Sequence, residues 1–290
     1  KATKSLPLWL QCLDLKTEIL TESGFKKHYE ISSGDVVASF NPETKEISFA
    51  PCFDKFERSL NDGEKMYEIN SPFLNIRVTG GHSLLQRPRT RKNEKSFEFV
   101  SAEDVHLNSK QGYEIPISGY CSRTGVRLKD SQIALLGWWL SDGYKDKKTN
   151  RIRITQSESQ PPEFHDSIKK CISDSGYKFT INRNKRTGAL AKYADTLMYS
   201  ICYGKPRGVD KHLKGCSDMF EFFDKNICED LMNIDRRQLG ILLHHIWLGD
   251  GSKHKTAYWK PNSLTIAAGD NKKYAERLQI ICILNGYKCN

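Results

Sequence analysis

Two stretches of the sequence end alike. Leu135-Leu136-Gly137-Trp138-Trp139-Leu140-Ser141-Asp142-Gly143 closes on Asp142, and Leu243-His244-His245-Ile246-Trp247-Leu248-Gly249-Asp250-Gly251 closes on Asp250. Each is an apolar run with a small residue just before an Asp-Gly pair. If both runs are helices packed side by side, the two carboxylates meet at one end, where like charges repel unless a cation bridges them. Mg²⁺ suits carboxylate oxygens and keeps several of its waters. Two such ions activate water and stabilise the leaving oxygen of a phosphodiester. Gly137, Ser141 and Gly249 are small enough to let two backbones approach, and Gly143 and Gly251 permit the positive φ with which many helices end.

The elements that must position these carboxylates are legible around them. Ser131 to Ser141 is a helix candidate with Asp130 as its N-cap. A strand (Arg151 to Thr155), a helix (Pro161 to Ser175) and two strands (Tyr177 to Asn182 and Leu197 to Tyr203) follow it. Asp235 to Gly249 opens a second copy, continued by a strand (Ser263 to Ala268) and a helix (Asp270 to Leu284). A helix–strand pattern that repeats decides architecture more than any single residue does.

This paired motif resembles the LAGLIDADG (dodecapeptide, DOD-type) homing endonucleases over 131–290, with repeat 1 at 131–234 and a partial repeat 2 at 235–290. The resemblance implies an αββαββα unit per repeat, two motif helices at a pseudo-two-fold axis in a monomer, and saddle-shaped sheets lying on double-stranded DNA. It implies Mg²⁺ held by one Asp per motif, Asp142 and Asp250. It also implies a lysine ahead of the second motif that stabilises charge near the scissile phosphate; Lys225-Asn226-Ile227-Cys228 matches that block, with Cys228 where the family has Pro. His245 stands where the first motif has Gly137. Basic residues fall where such a saddle needs them: Lys145, Lys147, Lys148, Arg151 and Arg153 after the first motif, Arg183, Lys185, Arg186 and Lys192 further on, and Lys253, Lys255 and Lys260 after the second. Most contacts of this kind go to phosphate. Arg151, Arg153, Gln156 and Asn182 are the strand residues placed to reach base edges.

The front half has a different texture. Phe25 to Glu30, Val36 to Ser39, Glu46 to Ala50, Tyr67 to Ile69 and Leu74 to Val78 are short and strand-like, separated by turn signals at Ser33-Gly34-Asp35, Asn41-Pro42 and Asn61-Asp62-Gly63. They predict a compact all-β unit, with an exposed loop at Gln86 to Lys95 and a linker at 119–130. Cys12 opening this unit, and Thr79-Gly80-Gly81-His82 some way along it, resemble the N-terminal splicing blocks of inteins (the Hint fold) over 12–118. On that resemblance residues 1–11 are the tail of an interrupted host protein, the N-extein. The Cys12 thiol attacks the carbonyl carbon of Gln11, His82 protonates the departing amide nitrogen, and Thr79 donates a hydrogen bond to the oxyanion. The chain then stops within its second repeat.

The two resemblances together imply an α+β protein: an intein-encoded, site-specific double-strand DNA endonuclease lodged in an autocatalytic splicing module. Its partners would be the intein-less host gene and the host protein as extein. The alternative is a LAGLIDADG protein that binds DNA or RNA without cutting, a maturase or regulator.

Charge and composition agree with nucleic acid as a partner. Residues 1–130 carry 19 Lys and Arg against 18 Asp and Glu, whereas residues 131–290 carry 26 against 17. The net of +10 is thus concentrated in the back half, where it favours a polyanion. Hydrophobic residues at 38% and charged residues at 28% exclude a collagen-like or disordered chain. The longest apolar run, Ile133 to Leu140, is short of a membrane span. Nine cysteines without a CxxC pair argue against a zinc site and for free thiols in a reducing compartment. Residence in the cytoplasm or with the nucleoid, without secretion, is the expectation.

Overall fold

The computed structural model describes residues 12–89, 96–107, 112–146, 148–149, 151–202, 215–252 and 265–289. The proposed extein residues 1–11 lie outside these, as do Lys147, Lys253, Lys255 and Lys260. The chain divides into two units, one comprising 1–122 with 278–290 and the other 123–277.

In the first unit, β1 (Glu18–Thr21), β2 (Gly24–Lys27), β3 (Val36–Phe40) and β4 (Ile47–Pro51) form an antiparallel sheet in the order β2-β1-β3-β4. A hairpin of β5 (Met66–Ser71) and β6 (Leu74–Thr79) follows. Then come β7 (Ser83–Pro88), β8 (Glu98–Ser101), the helix α1 (Ala102–Leu107) and β9 (Tyr113–Glu114), with β7 central between β8 and β9. Val78, Leu84, Ala102 and Val105 form a buried cluster joined by Tyr67, Ile69, Ile76, Val100 and Tyr113. The all-β expectation is therefore amended by α1, whose Ala102 and Val105 close this core. The loop expected from Gln86 begins too early, because Gln86 is buried within β7.

The stretch expected to be a linker, 119–130, is bound at both ends. Gly119, Tyr120 and Cys121 donate main-chain hydrogen bonds to Ile283, Lys45 and Leu284. A Cβ on Gly119 would meet Ile47 Cγ1 and the Lys45 carbonyl oxygen at 2.8 Å each, so only glycine fits there. In the other unit, Val126 exchanges two hydrogen bonds with the Gln238 amide, at 2.8 and 2.9 Å.

The second unit runs α2 (Asp130–Asp142), β10 (Gly143–Asp146), β11 (Arg151–Ser157), α3 (Pro162–Asp174), β12 (Phe179–Asn184) and β13 (Thr196–Cys202). Two short 3-10 turns then lead to α4 (Arg236–Asp250), β14 (Gly251–Ser252), β15 (Thr265–Ile266) and α5 (Lys272–Leu284), whose last turns belong to the first unit. The antiparallel sheet has the order β10-β11-β13-β12. α2 is buried along Gln132 to Leu140, as a helix apolar on every side must be. Its N-cap is Lys129 rather than Asp130, which is the first helical residue. α4 starts at the Asp235 N-cap, whose carboxylate accepts from Gln238 N–H at 2.8 Å.

Candidate active site

α2 and α4 pack directly on one another within the second unit. A Cβ on Gly137 would stand 2.6 Å from His245 Cβ and 2.8 Å from the Leu242 carbonyl oxygen. One on Gly249 would stand 2.5 Å from Ser141 Cβ and 2.6 Å from Asp142 Oδ2. Two glycines thus remove the Cβ atoms that would hold the backbones apart, and His245, despite its bulk, is accommodated because Gly137 faces it.

Both helices end in the same way. Gly143 and Gly251 are extended (φ −101° and −84°), not left-handed. Positive φ is therefore not why glycine stands at these ends. A Cβ on either would meet the indole Cδ1 of the tryptophan four residues back, Trp139 or Trp247, at 2.1 Å. Each glycine then begins a strand and pairs with an isoleucine, Gly143 with Ile154 and Gly251 with Ile266.

This crossing brings Asp142 and Asp250 within electrostatic reach. Burial, then the Asp250 charge, push the Asp142 carboxyl up to about 6. Burial raises Asp250 as well, with Lys225 opposing it. Lys225 serves both carboxylates. Its Nζ donates to the carbonyl oxygens of Trp139 and Leu140 at 2.7 Å and of Ser141 at 3.2 Å, and lies 4.8 Å from the centre of the Trp139 ring. The ammonium thus caps the negative end of α2. Burial drags Lys225 down to about 8, while Asp250 and Asp142 hold it up.

Gln156 was missed as a member of this site. β11 alternates, with Ile152, Ile154 and Gln156 buried, and Gln156 Nε2 donates to Asp142 Oδ2 at 2.5 Å. Gln156 thus faces the helices, and its expected place at base edges is corrected. The period-two reading of Arg151-Ile152-Arg153-Ile154-Thr155-Gln156 contained that signal.

The same pleat sorts the basic residues. The register aligns Tyr144 with Arg153, Arg153 with Ser200, and Ser200 with Thr180. It likewise aligns Thr155 with Met198 and Met198 with Asn182. Arg151, Arg153, Thr180 and Asn182 therefore share the face turned away from the helices. Arg153 is ion-paired to Asp146 at 2.7 Å, and Arg151 bonds Thr180 Oγ1 at 3.3 Å. Lys145, opposite Ile152, and Arg183, opposite Leu197, lie on the other face. Lys145 sits over the Phe220 ring at 4.1 Å, and Arg183 pairs with Glu158 at 2.8 Å and Asp195 at 3.3 Å. Lys148, Lys185, Arg186 and Lys192 are exposed in turns and loops.

Two carboxylates beside helix-end carbonyls fit a hard divalent cation that keeps most of its water. Both are raised by burial, so positive charge beyond that of Lys225 is accommodated. Among the described residues no group of three or more His, Cys, Asp and Glu gathers to hold a metal by itself.

In the first unit, Cys12 and Thr79 are tied reciprocally. Cys12 N–H donates to Thr79 Oγ1 at 3.1 Å, and Thr79 N–H donates to the Cys12 carbonyl at 3.0 Å. His82 N–H reaches back to the Thr79 carbonyl at 3.0 Å. Its ring is half-buried, Nδ1 is buried with no hydrogen-bond partner among the described residues, and burial lowers its pKa. The Arg58 guanidinium is held in a fork by both Glu64 oxygens at 2.6 Å, within electrostatic reach of the Cys12 thiol. Cys12, Cys52, Cys121, Cys171, Cys216, Cys228, Cys282 and Cys289 are free thiols.

The chain is 25% identical over 171 residues to the ATP-dependent DNA helicase Hel308 of Methanocaldococcus jannaschii. The match takes 54% of this chain and spans 13% of that enzyme. No protein-family model matches the chain. No described helix is long and apolar enough to cross a membrane.

Proposed function

We propose that the second unit is a LAGLIDADG-type, Mg²⁺-dependent double-strand DNA endonuclease and the first an intein splicing module, so that the chain is part of an intein-encoded homing endonuclease. The observation that carries the reading is the α2–α4 crossing at Gly249 and Ser141, which sets Asp142 and Asp250 at one end of a helix pair. The likeness to a small part of a DNA helicase is consistent with action on DNA.

Asp142 and Asp250 would hold the metal ions, which when bound supply charge neutralisation at the phosphate and an activated water. Gln156 fixes one oxygen of Asp142 and so orients the carboxylate. Lys225 keeps the carboxylate pair from flying apart before metal arrives and adds positive charge for the transition state. Arg151 and Arg153, on the sheet face away from the helices, hold phosphate.

In the first unit the Cys12 sulfur attacks the Gln11 carbonyl carbon. The C–S bond forms, the Gln11–Cys12 C–N bond breaks, and the proton leaving the Cys12 thiol passes through the His82 imidazole to the freed nitrogen. Thr79 holds Cys12 N–H, which orients the scissile amide. A half-buried His82, its pKa lowered by burial, is suited to passing a proton rather than bearing permanent charge.

The test is cleavage of a plasmid carrying the uninterrupted host gene, with and without Mg²⁺. Wild type should linearise it only with metal, and Asp142→Asn and Asp250→Asn should not. Tight binding without cutting by the wild type would instead favour the binding-only protein.

A further inference from the structure

Lys225 reaches the end of α2 from a turn whose backbone is strained. Ile227, two residues on, has φ +59°, in the left-handed region, and its side chain is fully buried. A β-branched residue there is strained and persists only where its surroundings over-determine it. The surroundings can be named. Arg277 Nη1 donates to the Ile227 carbonyl, and the same guanidinium pairs with Glu229. Asn271 Nδ2 donates to the Lys225 carbonyl at 3.3 Å and to Asn226 Oδ1 at 3.2 Å. Asn226 N–H is held by Asp224 Oδ1 at 3.0 Å. Both outer clamps come from one place: Arg277 is in α5, and Asn271 just precedes it.

We infer that Arg277 and Asn271 are positioning residues, which hold the strained 225–228 turn so that Lys225 Nζ stays on the three carbonyl oxygens at the end of α2. Neither touches Asp142 or Asp250, and each acts through Lys225. The inference rests on the nuclease reading for its consequence in cleavage, but its structural half stands alone. Because the Glu229 side chain is 79% exposed, its ion pair adds little; the bond to the Ile227 carbonyl is what matters.

The test compares Arg277→Ala, Arg277→Lys, Asn271→Ala and Glu229→Ala with the wild type. The first readout is amide hydrogen exchange of peptides covering 224–231 and 139–146. The second is single-turnover cleavage of the plasmid carrying the uninterrupted host gene, with DNA affinity measured separately. Arg277→Ala should speed exchange in both peptides and slow cleavage at least tenfold, with DNA affinity held within about twofold. Arg277→Lys should recover part of both losses, Asn271→Ala should show a smaller version of them, and Glu229→Ala should match the wild type. If Arg277→Ala does not fold, the graded losses in Arg277→Lys and Asn271→Ala carry the same comparison. Unchanged exchange at 139–146 in a folded Arg277→Ala or Asn271→Ala protein overturns the inference, as does equal damage from Glu229→Ala. If exchange changes as described but the wild type cuts nothing, the nuclease reading falls and the positioning role stays.

Discussion

Gly249 lies against Ser141 so closely that a Cβ on the glycine would come within 2.5 Å of the serine Cβ. No side-chain rotation relieves a contact made by Cβ itself, so Gly249→Ala must part the ends of α2 and α4. Overpacking of this kind costs about 1–3 kcal/mol. Gly249→Ala is expected to lower the melting temperature and to cut Mg²⁺-dependent cleavage at least tenfold. An alanine variant with wild-type melting and cleavage would show that the helix ends need not touch.

Asp142 carries a pH signature. Its carboxyl is raised from 3.8 to about 6 by burial and by Asp250. A carboxyl raised on folding stabilises the fold below its unfolded value, and that contribution is lost as pH rises through the folded value. In chelator, Asp142→Asn is expected to be more stable than wild type by roughly 2 kcal/mol above about pH 7, with the gap closing toward about pH 4. Urea melts across that range check it, and a gap that widens on acidification would contradict it. Added Mg²⁺ should stabilise the wild type more than the variant.

On the proposed function, the two sheet faces separate basic residues that would meet DNA from those that would not. Arg151→Ala and Arg153→Ala should each weaken binding and reduce the salt dependence by about one counterion. Arg183→Ala and Lys145→Ala should do neither, because their side chains leave from the opposite face. Fluorescence anisotropy against salt concentration separates the two pairs.

In the first unit the Cys12–Thr79 bonds give a thiol-release prediction. Incubation with a small thiol should free residues 1–11 from the wild type. Thr79→Ala should slow release about tenfold or more by the loss of one orienting hydrogen bond, and Thr79→Ser should retain most of it. Cys12→Ala should release nothing, as read by mass spectrometry; release from Cys12→Ala would remove the thioester.

The helices were legible because a run such as Ile133 to Leu140 is apolar at every position and closes on Asp-Gly. Of the strands that escaped, β1, β8, β9, β10 and β14 have four residues or fewer, β7 runs into the polar stretch that reads as a loop from Gln86, and α1 has only six residues. Glycine at 143 and 251 was readable as a requirement, but its cause was not. Nothing in the sequence says that an indole four residues earlier folds back over that position. Gln156 was visible as a strand residue, but its direction depended on phase, and a slip of one residue exchanges the two faces. The Lys225 turn was recognisable by composition, whereas its clamps at Asn271 and Arg277 come from far along the chain and leave no local pattern.

The meeting of Gly137 with His245, and of Ser141 with Gly249, pairs equivalent positions of two related helices, each time a smaller residue against a larger one. Two copies of the second helix packed the same way would set one imidazole against another. Two copies of the first would leave a gap at Gly137 and crowd two serines. Each helix is therefore a poor mate for itself and a good one for the other, so the pairing of α2 with α4 is selective and neither helix could replace the other in it.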